Sequence, residues 1–246
     1  KYYIQMYKDK FKEHFIEIKL VIVEELENME QYVKCNKVDF AINRSRNHII
    51  GELLEQKGVR VFNSSSVTRI ANNKGITYEF LKDVVPFLAV KYGNEIIESK
   101  IENKGFEYPY VIKSCSGHGG SQVFLVNNSK EEEQAIKAMN GQEYVVQQCC
   151  SDLGRDVRVY IIGNKIIKAV LRTSTESFKS NYSLGGKVQE YTLNNEEKAM
   201  VKRIVDKLSL DYAGIDFTFH NGKAVFNEIE DAVGAVSYTH LTLPTT

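Results

Sequence analysis

The sequence predicts an α/β unit followed by a mixed α+β region, and three observations carry that prediction. Apolar, β-branched runs alternate with a helix-period segment up to Phe62, which implies parallel strand pairing. After Tyr108, strand-like runs follow one another and are joined by turn signals such as Gly163-Asn164. The 246 residues, 43% hydrophobic and 26% charged, are enough for two modest domains of an ordinary globular chain.

The first part of the chain reads as a partial α/β unit. Apolar runs at 18–23 and 38–42 predict the first two strands. The segment 47–57 has helical periodicity, and Gly58 ends it before a third predicted strand at 59–62. Residues 63–66 are Asn and Ser and predict a polar break. A second helix is predicted at about 74–84, because Pro86 prevents its continuation.

The second part predicts more strands than helices. Strands are expected at 110–113, 123–126, 144–148, 158–162, 166–171, 213–219 and 224–229, and helices at 130–139 and about 196–208. The last helix has a clear start signal, since Asn194 is followed three residues later by Glu197. We therefore expect a capped helix packed on a sheet.

Composition excludes several classes of partner. Lys plus Arg and Asp plus Glu both number 32, so no global field favours nucleic acid or anionic membrane. No apolar run approaches the roughly 20 residues that span a bilayer, and no signal peptide is visible. The four cysteines show neither metal-ligand spacing nor a disulfide framework. We expect a cytoplasmic protein that binds neither nucleic acid nor membrane.

Three carboxylates near the end of the chain form the most informative group. Asp216 lies in one predicted strand, and Glu228 and Glu230 share one face of the next. A two-residue loop between the strands would pair Asp216 with Asn227 and separate the acids. A three-residue loop, whose left-handed position Gly222 suits, would bring all three together. Together they would suit a hard divalent cation such as Mg²⁺. The plainer alternative is a solvated hairpin kept soluble by its acids.

A glycine-rich loop follows the predicted strand that ends at Lys113. Its small residues Gly117, Gly119 and Gly120 would let backbone N–H groups approach phosphate oxygens, and Lys113 would add a positive charge. No Gly-Lys-Ser/Thr opens a helix here, so this is not a Walker motif. A flap over a nucleotide and a plain hairpin turn both remain open at this point.

Downstream, Asp156 and Arg158 share one strand face, and Arg172 ends the partner strand. These arginines could form structural ion pairs with the acids. Beside a magnesium site they would instead clamp phosphate or a substrate carboxylate. The polar segment 178–181, which contains Lys179, could complete such a site or be an exposed loop.

The order of these motifs resembles that of the ATP-grasp superfamily. The local sequence is similar to that of its RimK-type α-L-glutamate ligase branch. The matching stretches are RVFNSS, PYVIKSCSGHGG, GRDVRVYIIGNKII, FKSN with Gly185-Gly186, and LDYAGIDF, within about 59–234. The resemblance implies a partial pre-ATP-grasp α/β domain at 1–72 and an ATP-grasp domain at 73–235. Within the latter, about 73–145 would carry the lid and 146–235 the metal.

The resemblance also implies roles for individual residues. Lys113 and Lys74 would contact ATP phosphates, and the Gln148-Cys149 linker would meet adenine. The remaining nucleotide ligands would be Asp156, Lys179, Ser180 and Asn181, and the ligands of Mg²⁺ (or Mn²⁺) would be Asp216, Glu228 and Glu230. Arg172, with Arg158 beside it, would steady the transferred phosphoryl group or the acyl phosphate.

The chain departs from the family pattern at three points. Glu230 stands where many ATP-grasp enzymes have Asn, and Lys179 stands where Arg is common. The C-terminal end expected after the metal motif is missing. The chain opens without Met, and 236–246 resembles read-through sequence, so we leave that tail out of the fold argument.

The activity implied is ATP- and magnesium-dependent ligation of a carboxylate to an amine through an acyl phosphate. L-Glutamate or another amino acid would be the amine, and a peptide C-terminus or a small molecule the carboxylate acceptor. Two alternatives remain, a kinase of the same fold and a non-catalytic nucleotide-binding fragment. The sequence leaves the acceptor and the oligomeric state open.

Overall fold

The computed structural model describes residues 2–92, 95–97, 107–120, 122–174 and 187–233. The helices in these ranges are α1 (Tyr2–Lys12), α2 (Met29–Cys35), α3 (His48–Gln56), α4 (Ser65–Ala71), α5 (Lys74–Leu81), α6 (Ser129–Met139) and α7 (Asn195–Leu208). None of the helices in the described ranges combines the length and apolar character that crossing a membrane requires.

Twelve strands are described. They are β1 (Phe40–Ile42), β2 (Arg60–Phe62), β3 (Val90–Tyr92), β4 (Glu95–Ile97), β5 (Tyr110–Ser114), β6 (Val123–Val126), β7 (Tyr144–Gln148), β8 (Asp152–Ile162), β9 (Lys165–Thr173), β10 (Lys187–Glu190), β11 (Tyr212–His220) and β12 (Lys223–Glu230). Both parts of the predicted fold class are present, because helices alternate with strands first and antiparallel strands dominate afterwards.

The strands form three sheets. β1 and β2 pair in parallel, as the alternation of strand and helix predicts. One five-stranded antiparallel sheet has the order β10-β9-β8-β11-β12, and the other has the order β4-β3-β7-β5-β6. The parallel Phe87–Phe226 bridge, with a hydrogen bond from the Phe226 amide to the Pro86 carbonyl oxygen (2.9 Å), joins the end of the α5 segment to β12.

Two sequence expectations for the N-terminal part are wrong. The apolar run 18–23 is not a strand, because β1 pairs only with β2 among the described strands and leaves 18–22 without a partner. Leu20 and Ile22 are accordingly exposed. The polar segment 63–66 is not only a break, because Ser64 caps a helix there. Its hydroxyl accepts a hydrogen bond from the Val67 amide, and α4 begins at Ser65.

The main core lies between α7 and the β10–β12 sheet and continues under α5. Ile204 of α7 and Ile215 of β11 are completely buried in it, as are Tyr78, Phe87 and Phe226. The predicted capping box at Asn194 and Glu197 is present and anchors the start of α7. A separate cluster packs α6 against the β5–β6–β7 sheet. A helix packs on one face of each five-stranded sheet, α7 on one sheet and α6 on the other. The opposite faces are therefore available for a site.

Asn63 fastens the two-stranded sheet to the larger fold. Its side-chain amide donates to the carbonyl oxygens of Tyr212 (2.7 Å) and Asp231 (3.2 Å). Its Oδ1 accepts from the amides of Asp211 (2.9 Å) and Tyr212 (3.1 Å). Asn63 is 1% exposed. One side chain therefore sets how the end of β2 lies against the ends of β11 and β12.

We expect Asn63→Ala to lower the free energy of unfolding by about 2–4 kcal/mol, because the substitution leaves buried backbone groups unpaired. Denaturant unfolding of the two proteins measures the difference. Asn36→Ala is the matched control, since Asn36 makes one side-chain bond, to the Tyr32 carbonyl oxygen, and should cost less than about 1 kcal/mol. Equal losses for the two variants would contradict the role given to Asn63.

Candidate active site

The β11–β12 hairpin decides whether the three carboxylates meet. Its loop has two residues, Asn221 and Gly222, and both have positive φ angles (52° and 73°). His220 therefore pairs with Lys223. Further along, a β-bulge shifts the register between Asp216 and Phe217.

The bulge corrects the separation that a two-residue loop alone would cause. Phe217 pairs with Phe226, but Asp216 pairs with Glu228, so Asn227 is the extra residue of β12. Glu230 pairs with Gly214, two positions along the same face. The three-residue loop that Gly222 was expected to suit does not form. The expectation that a two-residue loop separates the acids is also wrong, because a bulge adds the residue that the loop lacks.

Asn227 enters the site because of the bulge. Its Oδ1 accepts a hydrogen bond from Lys113 Nζ (2.7 Å), and its carbonyl oxygen accepts one from the Tyr78 hydroxyl (2.7 Å). Gln147 in turn donates to that hydroxyl (3.1 Å). The sequence analysis missed Asn227 as a site residue, since a bulge has no reliable signature in a single sequence.

Carboxylates and guanidinium groups alternate across the face of β8, β9, β11 and β12. Arg172 contacts both oxygens of Asp156 and also Asp216 (2.8 Å), and Arg158 contacts both oxygens of Asp216 (2.7 Å each). Arg158 also contacts Glu230 (2.7 Å). Arg46, in the loop after β1, contacts the other oxygen of Glu230 (3.4 Å). We call the six residues the charge chain; in order they are Asp156, Arg172, Asp216, Arg158, Glu230 and Arg46.

The register of the strands explains these contacts. Asp216 lies directly opposite Arg158, and Asp156 lies directly opposite Arg172. Burial alone would raise the pKa of Asp216, but the two guanidinium groups outweigh it and lower the pKa to about 2. At Glu230 burial dominates and raises the pKa, although Arg158 opposes it. Asp216 is thus a buried, permanently charged centre.

The predicted metal ligands share a face but are not equally available. The described residues contain no group of three or more His, Cys, Asp or Glu side chains arranged to hold a metal ion. Both oxygens of Asp216 accept from arginine, and Glu230 accepts from Arg158 and Arg46. Glu228 forms a longer ion pair with Lys74 (3.7 Å), and the Glu228 side chain is 36% exposed. The donor chemistry fits a hard cation, with Glu228 as the accessible member.

A cavity of about 120 Å³ lies between the two five-stranded sheets. Eight residues predicted from the sequence line it: Lys74, Lys113, Gly117, Gly119, Gly120, Gln148, Asp156 and Glu228. The wall also contains Leu88, Val111, Val123, Gln147, Cys150, Leu153, Gly154, Arg155, Thr218 and Asn227, which the sequence analysis did not assign to a nucleotide site. The predicted residue Cys149 is not in the wall, although Gln148 and Cys150 on either side of it are.

Two lysines face this cavity beside Glu228. Lys74 Nζ donates to the Gly117 carbonyl oxygen (2.7 Å), which ties the glycine loop to the start of α5. Burial lowers the pKa of Lys113 to about 8, although Glu228 opposes the shift. The cavity wall therefore holds two lysine ammonium groups that an entering anion could contact, beside the carboxylates of Asp156 and Glu228.

The glycine loop between β5 and β6 is held at both ends. The Ser114 amide donates to the Gln122 carbonyl oxygen (3.0 Å), and Gly119 and Gly120 have positive φ angles of 64° and 75°. Burial, together with the nearby cations Arg46 and Lys74, lowers the pKa of His118 in this loop to about 4. His118 is thus neutral at pH 7. Lys179, Ser180 and Asn181 lie outside the described residues.

Comparison of the sequence with known proteins gives a consistent set of relatives. A family model described as "RimK-like ATP-grasp domain" matches residues 71–242. "Uncharacterized protein MG011" of Mycoplasma genitalium is 34% identical over 90% of this chain and 75% of its own length. A "Probable alpha-L-glutamate ligase" of Vibrio parahaemolyticus is 27% identical, and the match covers 87% of this chain and 64% of the ligase. Human "N-acetylaspartylglutamate synthase A" is 30% identical, and the match covers 75% of this chain and 49% of the synthase.

Solved structures share the fold at low sequence identity. A RimK domain ATP-grasp protein from Sphaerobacter thermophilus aligns with a TM-score of 0.72 at 19% identity, covering 96% of this chain and 89% of its own. The ATP-grasp ligase PsnB, solved with a precursor variant, Mg and ADP, aligns with a TM-score of 0.58 at 17% identity, covering 78% and 60%. At these identities the alignments establish the fold and not the residue roles.

We expect Asp216→Asn to lower the free energy of unfolding at pH 7 by about 3–5 kcal/mol, because it leaves the buried guanidinium groups of Arg158 and Arg172 without a counter-charge. Denaturant unfolding measures it. The exposed Asp206, paired with Lys202 on α7, provides the control Asp206→Asn, which should change stability by less than about 0.5 kcal/mol.

The pH dependence checks the same assignment. Because the pKa of Asp216 falls from 3.8 to about 2 on folding, its contribution is complete above the first value and is lost as pH falls toward the second. Wild type and Asp216→Asn should therefore differ least at the acid end of that window. A constant difference from pH 7 to pH 2 would mean that the carboxylate charge is not what holds the arginines.

Proposed function

The chain belongs to the RimK-like ATP-grasp family, and from this premise we propose that it is an ATP-dependent ligase that joins L-glutamate to a carboxylate acceptor. The observation that carries the proposal is the cavity between the two five-stranded sheets. It combines apolar side chains, two lysines, a glycine loop and two carboxylates within one space. These are the features that a nucleoside triphosphate and its transferred phosphoryl group require.

The cavity offers different chemistry to the two ends of a nucleotide. Leu88, Val111 and Leu153 supply apolar surface for a base, and the Gln147–Gln148 backbone of β7 lies beside them. Lys74 and Lys113 supply positive charge for phosphates. Gly117, Gly119 and Gly120 would let backbone amides approach the same phosphates.

Entry of a nucleotide requires a wider cavity. The volume of about 120 Å³ is below the roughly 300–1,000 Å³ of typical ligand pockets. We expect the glycine loop to move outward. The hydrogen bond from Lys74 of α5 to the Gly117 carbonyl oxygen would break in this movement. A phosphate oxygen could replace the Gly117 carbonyl oxygen as the acceptor for Lys74.

Magnesium would be held at the carboxylate end of the cavity. Glu228 would be the main ligand because its oxygens are the most accessible, with Glu230 and Asp216 of the same face beside it. When bound, the ion would neutralise negative charge on the phosphates. Lys74 would then lose Glu228 as its ion partner and be available to the nucleotide.

The proposed reaction has two steps. A carboxylate oxygen of the acceptor attacks the γ-phosphorus, ADP leaves, and an acyl phosphate forms. The glutamate amine then attacks the acyl carbon, inorganic phosphate leaves, and the nitrogen loses a proton to give an amide. The protein mainly positions the reactants and neutralises charge, which can supply about 7–11 kcal/mol in a well-aligned site.

The choice of glutamate rests on the relatives. The Vibrio ligase and the human synthase are both named for glutamate. The name of the Vibrio ligase specifies no acceptor, so the acceptor of this chain must be found by experiment. A peptide ending in a free carboxylate and N-acetylaspartate are the two first choices.

ADP release tests the function. With ATP, Mg²⁺ and L-glutamate, we expect ADP to appear only when a suitable carboxylate is added, because the amide needs both substrates. Replacing glutamate with hydroxylamine should trap the acyl phosphate as a hydroxamate. ADP formation without hydroxamate would instead identify a kinase that transfers phosphate to a hydroxyl group. ATP binding without turnover in every pool would favour a non-catalytic nucleotide-binding protein.

We expect the affinity for ADP and ATP to fall as pH rises above about 8, because the low pKa of Lys113 removes its positive charge there. The decrease should approach roughly tenfold per pH unit if phosphate binding needs the charged lysine. Lys113→Met should bind weakly and with little dependence on pH. Calorimetry from pH 7 to 9.5 measures both, with the exposed α6 residue as control in Lys137→Met, which should behave as wild type. An identical pH slope in Lys113→Met would contradict the assignment.

A further inference from the structure

We propose that Arg46 binds the α-carboxylate of the amino-acid substrate, which extends the function proposed above and rests on it. Arg46 is not in an ATP-grasp motif of this chain. It lies in the loop Asn43-Arg44-Ser45-Arg46-Asn47, between β1 and α3, and reaches the end of β12 from outside the two five-stranded sheets.

The loop is built to hold Arg46 in one position. Asn43 Oδ1 accepts from the Ser45 amide (3.0 Å) and hydroxyl (2.6 Å), and Asn43 Nδ2 donates to the Asn47 carbonyl oxygen (3.0 Å). Asn47 also caps α3 through the Ile49 amide (3.0 Å). Within this network Arg46 has a φ of 60°, in the left-handed region that non-glycine residues rarely adopt. A side chain that costs backbone strain is expected to serve a function.

The contact that Arg46 makes is weak enough to be exchanged. One nitrogen of Arg46 lies 3.4 Å from Glu230, and this is the ion pair that the described residues provide for it. The two side chains are 36% and 25% exposed, and a long ion pair that is partly open to solvent contributes little. Glu230 also keeps a shorter contact with Arg158 (2.7 Å). Arg46 can therefore leave without stranding a buried charge.

Arg46 is the accessible end of the charge chain. At the other members the exposed side-chain fraction is 25% at Glu230, 11% at Arg158, 2% at Asp216, 3% at Arg172 and 13% at Asp156. Both Arg158 and Arg172 already hold two carboxylates each. Among the three arginines of the chain, Arg46 is thus the one with a guanidinium edge open for a bidentate contact.

The position of Arg46 favours the amino acid over the acceptor. Glu228 lines the nucleotide cavity, whereas Glu230 and Arg46 do not. The reacting carboxylate of the acceptor must approach the γ-phosphate and loses its charge on phosphorylation. The α-carboxylate of the amino acid keeps its charge throughout the reaction. A fixed arginine beside the nucleotide cavity suits a group that stays charged.

Two amino acids test the proposal directly. 4-Aminobutyrate is L-glutamate without the α-carboxylate, so the ratio of the two affinities measures recognition of that group. Calorimetry with the full chain, ADP and Mg²⁺ gives this ratio for wild type, Arg46→Ala and Arg46→Lys. Arg60→Ala is the control, because Arg60 lies on β2 and pairs with Asp211 away from the cavity.

We expect Arg46→Ala to lose affinity for L-glutamate by on the order of tenfold to a hundredfold, the effect of one charged hydrogen-bonded contact. It should bind glutamate and 4-aminobutyrate almost equally. Arg46→Lys should keep part of the preference, and ADP affinity should not change in any variant. A protein that is merely destabilised would lose affinity for both amino acids and would keep their ratio.

Three results would overturn the proposal. They are an Arg46→Ala protein that keeps the wild-type preference for glutamate, a wild type that binds 4-aminobutyrate as tightly as glutamate, and a wild type that binds neither. The first two leave the proposed ligase activity intact, because ADP release by wild type is measured separately. The absence of ADP release with every acceptor would instead count against the activity.

Discussion

The buried contact between Asp216 and the guanidinium groups of Arg158 and Arg172 is the interaction on which the site depends. Asp216 is 1% exposed, and a lone carboxylate at that depth would be strongly unfavourable. Two arginines from adjacent strands meet its oxygens at 2.7–2.8 Å. The remaining members of the charge chain then follow, because each arginine needs a second carboxylate. The face of the β8–β12 sheet is therefore organised by charge rather than by apolar packing.

Within the charge chain, some residues stabilise the fold and others are available to exchange partners. The inner members hold one another and are closed to solvent, so their charges stabilise the face. The outer members, Glu230 and Arg46, make longer or more exposed contacts and can exchange partners. Glu228, on the same face, opens into the nucleotide cavity. A site that must neutralise a polyphosphate and release it benefits from exchangeable pairs at its edge and a fixed centre behind them.

The two-stranded sheet also takes part in the site. Asn63 fixes β2 to the ends of β11 and β12, and the loop after β1 then reaches Glu230 and the Ala232 carbonyl oxygen through its arginines. Residues far apart in sequence are thus brought to one end of β12. Under the role proposed for Arg46, the N-terminal part would influence substrate choice, although the cavity lies between the other two sheets.

The sequence by itself determined the fold class, most elements and the family, because these depend on periodicity, caps and local motifs. It also identified Lys74, Lys113, Asp156, Glu228 and the glycine loop, which the structure places around one cavity. Tertiary structure decided the rest. The bulge at Asn227 sets the register of the acids, and the lack of a pairing strand leaves 18–22 unpaired. The contact of Arg46 with Glu230 joins residues 184 positions apart, and no local pattern encodes so distant a contact.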